Sequence, residues 1–407
     1  MTHRPVPLQG IRVLDLSRVL AGPWAGQLLA DYGADVIKVE RPGAGDDTRA
    51  WGPPWWGDPA ERMSAYYLCT NRGKRSVTID IASAEGREQV RALAREADVL
   101  IENYKVGQLA RYRLDAVSLR ELNPGLVYCS ITGFGQTGPD AQRAGYDFAI
   151  QAAGGLMSIT GEAQATPGSE PQKVGVAVVD VMTGVYAVTA ILAALHERHR
   201  TGRGAHVDMA LLDVAVAMLA NQASNHLVGG ATPKRLGNAH ANIVPYQVFA
   251  TRDGHIVLAV GNDAQFAKFC ELAGHAEVAL DASFATNASR VAHRAELVPQ
   301  IAGWMLARTT AEWAALLDAR DVPCAPILDI AQVFRSPQVR ARGMQASLSA
   351  ADGRNTPMVP APVVFDGARA MSGQAPPGLD EHGAMLLASL NTKPGWPVPD
   401  PQHGDKS

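Results

Sequence analysis

The chain has 407 residues, 47% of them hydrophobic, enough for a full core and a second, smaller one. Its 37 basic and 40 acidic residues leave a net charge of -3, and no block of like charge marks a nucleic-acid or membrane surface. Any anionic ligand must therefore be met by local cations.

The start, MTHRPVPLQGIRVLDLS, lacks the apolar stretch of a signal peptide and runs straight into a strand pattern. Residues 11–17 read as a buried strand, 22–33 as a helix with a small-residue start, and 34–40 as the next strand, together a βαβ unit. The pattern recurs with a strand over 76–81, a helix over 83–97 and strands over 98–103 and 126–133. Parallel α/β is the economical fold. A dinucleotide fingerprint is missing: the first strand leads into SRVLAGP rather than GxGxxG, so no nicotinamide cofactor is expected. Glu40 mimics a ribose-binding acid, but Arg41 beside it suits a phosphate better.

The apolar run 174–195 has the length of a membrane span, yet Asp180, Thr183 and Gly184 interrupt it. It is read as a strand (VGVAVV), a turn and a helix ending near HERHRTGRG. After a strand and helix in AHVDMALLDVAVAMLANQ, the glycine-rich stretch 227–241 leads into a second domain. There, YQVFATRDGHIVLAV is a hairpin with an Asp-Gly turn, and the following helix is capped by Asp263. Thr309 and Glu312 make a capping box ahead of WAALLDAR. The proline-rich end, KPGWPVPDPQHGDKS, reads as extended or disordered. Three segments result: 1–225 for the first part of a large domain, 226–328 for a small α+β domain, and 329–407 for a return to the large domain and a tail.

Cys69, Cys129, Cys270 and Cys324 have no CxxC or zinc spacing and read as free thiols of a cytoplasmic protein. His196 and His199 sit at a polar helix end, and no metal is expected. GFGQTGP (133–139) reads as a plain turn or as an anion-binding one. Lys74 and Arg75 in NRGKRS read as a solvated loop or as ligand cations. The rings of Trp51, Trp55, Trp56, Tyr66 and Tyr67, beside Arg49 and Arg62, favour a pocket. Asp180 itself reads two ways. It is a good helix N-cap, or a carboxylate kept ionised by the helix N-terminus and usable as a nucleophile.

The stretches LQGIRVLDLSRVLAGPWAGQLLADYGADVIKVERPGAGDDTR, NRGKRSVTIDI, DVLIENY, SITGFGQTGP, RAGYD, VGVAVVDVMTG and RHRTGRGAHVDMAL resemble, in this order, the class III CoA-transferases. VERPGAGDDTR, RAGYD and RLGNAHANIVPYQVF resemble the branch that acts on dicarboxylates with succinyl-CoA. The resemblance implies an interlocked homodimer with a Rossmann-like large domain. It implies acyl-CoA and small carboxylic acids as substrates, with no nucleic acid or membrane partner. Asp180 matches the nucleophile that carries CoA as an aspartyl thioester. Val19, Arg41, Asn103, Tyr104 and Arg111 match CoA contacts, whereas two further contacts are replaced by Thr132 and Phe134. A dicarboxylate needs a cation for its far end, for which Arg18, Arg49 and His240 are the candidates, with Trp51 and Tyr66 as pocket walls. An α-methylacyl-CoA racemase of the same fold would carry a histidine base where Tyr146 stands, and tyrosine is a poor base near neutrality. A non-catalytic CoA-binding protein is the third reading.

Overall fold

The computed structural model describes residues 6–59, 62–350, 353–392 and 395–397. The chain forms two compact units: residues 1–154, 175–218 and 337–407, and residues 155–174 with 219–336.

The first unit is built on strands β1 (Arg12–Asp15), β2 (Asp35–Glu40), β3 (Lys74–Thr78), β4 (Val99–Glu102), β5 (Val127–Thr132) and β6 (His206–Ala210). They form one parallel sheet in the order β3-β2-β1-β4-β5-β6. Parallel strands bury both faces, which is why β1, β4 and β5 carry consecutive apolar residues, Val13–Leu14, Val99–Ile101 and Val127–Cys129. Helix α1 (Ala21–Asp31) crosses between the first two strands, and α2 (Ala84–Glu96), capped by the Ser83 hydroxyl, crosses between β3 and β4. Val13, Val36, Ile101 and Cys129 point to one core with Ala25 and Leu29; Leu14, Ile37, Leu100 and Tyr128 point to the other with Val90 and Leu93. Leu386, in the helix Gly383–Thr392, joins the second core, so this late helix packs on the first unit.

Further helices of this unit include α3 (Ala116–Leu122), α4 (Asp147–Ala153) and α5 (Val178–Thr201). Helix α5 corrects the expectation of a strand over 174–179. The β-branched apolar run cannot by itself tell a strand from a buried helix, and here residues 174–177 are irregular and the helix begins at Val178. By length and apolarity α5 could cross a membrane. Its Val179, Ala187, Ile191 and Leu195 are instead buried in the first core.

Helix α5 lies close against α1 because position 184 has no side chain. A Cβ on Gly184 would sit 2.8 Å from the Ala21 carbonyl oxygen and 3.0 Å from the Trp24 ring. Gly184→Ala is expected to force the two helices apart and cost about 1–3 kcal/mol, read as a lower denaturation midpoint at unchanged slope.

In the second unit, β7 (Tyr246–Ala250) and β8 (His255–Ala259) form the expected hairpin, and β9 (Cys324–Pro326) pairs with β8. The Thr309–Glu312 capping box is present. The helix Asp263–Ala273 is capped by Asn262 rather than Asp263, whose carboxylate pairs with the buried Arg290 at 2.7 Å. Of the proline-rich tail only 395–397 falls within the described residues, and Trp396 there donates to Asp35 at 2.7 Å.

Candidate active site

The strand order reverses between β1 and β4, and in open parallel sheets the crevice at such a switch point is where ligands bind. The segments leaving the two strands are tied together across it. Asn103, after β4, accepts the Arg18 N–H at 2.9 Å and donates to the Arg18 carbonyl at 2.6 Å. Here the chain encloses a cavity of about 250 Å³, lined among others by Arg18, Val19, Asn103, Tyr104, Tyr146 and Asp180. One opening thus brings together the expected nucleophile and three expected CoA contacts.

Asp180 is the third residue of α5 and half-buried, so it is not the N-cap; Ala177 holds that position without a side-chain cap. The helix start is held from outside by Asp147, whose Oδ1 accepts the N–H groups of Val179 at 2.8 Å and Asp180 at 3.2 Å. Its Oδ2 accepts from Gln151 at 2.6 Å. Asp147 therefore takes the capping role and leaves the Asp180 carboxylate free toward the cavity. Burial, then repulsion from Asp147, pushes the Asp180 pKa up to about 7. This reverses the expectation that the helix terminus keeps it strongly ionised: the charge nearest the helix start is another carboxylate.

Tyr66 lies within reach of the same charges. Its phenol is pushed up to about 12 by burial, then by Asp180, Cys69 and Asp147. Trp51 packs edge-on against it with ring centres 5.1 Å apart, so the two expected pocket walls stand side by side. Two glycines line the Asp180 cavity in close approach, since a Cβ on Gly133 would lie 2.7 Å from the Gly145 Cα. In GFGQTGP, the Gly135 N–H goes to the Thr132 hydroxyl and the Gln136 N–H to Asp208, which commits these donors to the protein itself.

The cations divide sharply. Arg18 binds Asp47 at 3.0 Å through one terminal nitrogen, and its Nε is buried with no hydrogen-bond partner among the described residues. It lines both the Asp180 cavity and a second one of about 220 Å³ that includes Arg41, Ile79, Ile81, Tyr104 and Tyr112. Arg41 is well exposed, with Asp47 at 3.8 Å. Arg111, on the single turn Leu109–Tyr112, is exposed and lines neither cavity. His240 belongs to the second unit, where its ring rests on Tyr246 and its Nδ1 accepts the Asn242 N–H.

Arg49 is committed elsewhere. It donates to both oxygens of Glu40, at 2.8 and 2.7 Å, and to the Tyr67 hydroxyl and the Pro377 carbonyl. That pairing also removes Glu40 as a ribose ligand. Arg49→Ala would strand a buried carboxylate, and is expected to cost about 3–5 kcal/mol of stability. Its residual activity is expected to fall equally toward mono- and dicarboxylate acceptors, checked by assaying both beside a denaturation curve.

Lys74 and Arg75 are neither solvated nor ligand cations. Lys74 is fully buried against Asp15 at 2.9 Å, and Arg75 grips Asp35 through two nitrogens. No sequence signal announced these pairs, or that of Lys38 with Asp46, because the partners lie on different strands and loops. Among the described residues no group of three metal-ligating side chains occurs.

The model of "CoA-transferase family III" matches residues 8–383. A succinate–glutarate CoA-transferase of Agrobacterium fabrum is 52% identical over 96% of this chain and 98% of its own. The human succinyl-CoA:glutarate CoA-transferase is 42% identical over 94% of this chain and 86% of its own. The crystal structure of a CaiB/BaiF family protein from Brucella suis, 50% identical, superposes with a TM-score of 0.82 over 95% of this chain and all of that one. A half-buried carboxylate facing a switch-point cavity thus sits on a chain matched almost end to end, and the protein belongs to CoA-transferase family III.

Proposed function

We propose that this CoA-transferase moves CoA from succinyl-CoA to glutarate or a closely related dicarboxylate, with Asp180 as a covalent relay. The observation that carries the reading is the Asp180 carboxylate, held free by Asp147 in a cavity shared with Arg18, Val19, Asn103 and Tyr104. The named activities of the relatives in Agrobacterium fabrum and human support the choice of acids.

A carboxylate is a weak nucleophile toward a thioester. Burial that lifts its pKa toward 7 makes the ionised form more basic and less hydrated, and so more reactive. In the proposed sequence an Asp180 oxygen attacks the succinyl carbonyl and the C–S bond breaks, giving a mixed anhydride and CoA thiolate. The thiolate attacks the Asp180 carbonyl and expels succinate, leaving an aspartyl-CoA thioester. A glutarate carboxylate attacks that thioester, releasing the thiolate again. The thiolate then attacks the glutaryl carbonyl of the new anhydride and regenerates Asp180. Proton count and charge balance without a metal or redox partner.

For CoA, Arg41 is the phosphate contact in the second cavity, with Tyr104 as the wall between the two openings. Arg111 is assigned to a phosphate by family match alone. Arg18, whose Nε has no partner among the described residues, is the favoured cation for the far carboxylate, with Trp51 and Tyr66 as walls. Two copies of the chain are expected to associate. Val185 and Tyr186 on α5 are exposed apolar groups consistent with a second chain, and sedimentation would show a species of twice the chain mass. A cytoplasmic setting accords with four unpaired cysteines.

The test is intact-protein mass spectrometry of wild type and Asp180→Ala mixed with succinyl-CoA and trapped with hydroxylamine or borohydride. An adduct mapped to Asp180 and absent from the variant supports the relay. No adduct, with deuterium entering the α-carbon of a methyl-branched acyl-CoA, would replace it with racemase chemistry.

A further inference from the structure

The turn between β1 and α1 carries a conformation that its sequence opposes. Val19 has φ of 73°. In that left-handed region a β-branched side chain crowds its own backbone, and such a residue persists only where its surroundings over-determine it.

Here the hold can be followed atom by atom. Asp46 accepts the Val19 N–H through both carboxylate oxygens, at 3.2 and 3.3 Å. Asn103 fixes the N–H and the carbonyl of Arg18. The Lys38 ammonium donates to the Ser17 carbonyl at 2.8 Å and to Asp46 at 2.9 Å. Asp46 also accepts the N–H and hydroxyl of Thr48, so its oxygens are fully occupied. The Lys38 and Asp46 side chains are both sealed from solvent. Burial alone would neutralise Asp46, but the Lys38 charge and these hydrogen bonds outweigh it and hold its pKa at about 2.

A buried ion pair is a poor source of stability, because desolvation offsets the attraction. What this pair does add is geometry. Its atoms hold residues 17 and 19, on either side of the Arg18 that Asn103 fixes, and Arg18 and Val19 line the Asp180 cavity. We propose that the buried Lys38–Asp46 pair is a positioning device that clamps Val19 in the left-handed conformation in the free enzyme, making residues 17–19 a preset wall that aligns the acyl-CoA thioester with Asp180. The inference rests on the transfer reading above and adds to it two side chains, sealed from solvent behind the wall of the second cavity, that act through residues 17–19.

Glycine adopts positive φ without penalty, so a clamp that exists to hold Val19 loses its purpose in a Val19→Gly variant. The experiment is a double-mutant cycle of Asp46→Asn and Val19→Gly, read as the single-turnover rate of Asp180 adduct formation from succinyl-CoA. With Val19 present, Asp46→Asn is expected to slow the adduct about tenfold or more; in the Val19→Gly background, the same change is expected to cost less than about twofold. The thermal midpoint is expected to fall on Asp46→Asn in both backgrounds, because Lys38 loses its charge partner either way. An equal rate loss in both backgrounds, or none in either, overturns the clamp.

Should the asparagine variants not fold, hydrogen exchange on wild type decides. Amides 17–20 are expected to be as protected in the free enzyme as with acyl-CoA bound. Fast exchange in the free enzyme that slows only with acyl-CoA would overturn a preset wall. Failure of the transfer reading looks different: wild type itself would give no Asp180 adduct, while the exchange result would still stand or fall alone.

Discussion

Asp180→Asn is expected to stop CoA transfer and at the same time to stabilise the fold at alkaline pH. The asparagine amide keeps the size of the side chain but is no nucleophile, so turnover should drop by at least about a thousandfold. The stability gain follows from linkage. Folding raises the Asp180 pKa from 3.8 to about 7. Between those values the folded chain keeps a proton that the unfolded chain has released, so stability falls as pH rises through that window. Above about pH 7 the full cost of a buried, repelled carboxylate is present. At full weight the shift is worth roughly 4 kcal/mol, and partial solvent contact reduces this to about 1–3 kcal/mol. The asparagine variant escapes that cost. Its denaturation midpoint should exceed that of wild type at pH 8 and converge with it near pH 4. An inactive variant less stable than wild type at pH 8 would mean that Asp180 is a structural cap after all.

The parallel sheet was legible because its evidence is local. Runs such as IRVLDLS and DVLIEN are apolar on both faces of a strand, and the helices between them carry 3.6-residue periodicity and caps such as Ser83. The start of α5 was not legible, since VGVAVV satisfies a strand and a buried helix alike. What decides for the helix is Asp147, which reaches the N–H groups of Val179 and Asp180 from 32 and 33 residues away. Tertiary capping of this kind leaves no mark at the capped position.

The site divides along the same line. The role of Asp180 is carried by the family motif rather than by its N-cap pattern, and the sequence pointed to the wrong electrostatics because it could not place a second carboxylate beside it. Arg49 and Lys74 looked like ligand cations for the converse reason: Glu40 and Asp15, which consume them, lie nine and 59 residues away on other elements. Val19 is the extreme case. A β-branched residue is the last one to assign to positive φ, and only the converging atoms of Asp46, Lys38 and Asn103 account for it. Sequence patterns report what a segment prefers. At this site the functional geometry lies where segments are held against preference.

Asp147→Asn is expected to separate the two things Asp147 does. Its amide oxygen can still accept the Val179 and Asp180 N–H groups, so the start of α5 should stay capped, while the negative charge that opposes Asp180 ionisation is gone. The Asp180 pKa should then fall. Because the ionised form is the nucleophile, the acid limb of kcat/KM for succinyl-CoA, near pH 7 in wild type, should move to lower pH by roughly half a unit or more. At pH 6 the variant would hold a larger ionised fraction than wild type. At pH 8, where both are ionised, it should be the slower enzyme, because a less basic carboxylate attacks a thioester less readily. The two profiles should therefore cross. Tyr66, which feels the Asp180 charge, titrates far above this range. Of the two, Asp180 is the group whose ionisation falls near pH 7. An acid limb that does not move when the Asp147 charge is removed would assign it to a different group, and with it the identity of the nucleophile.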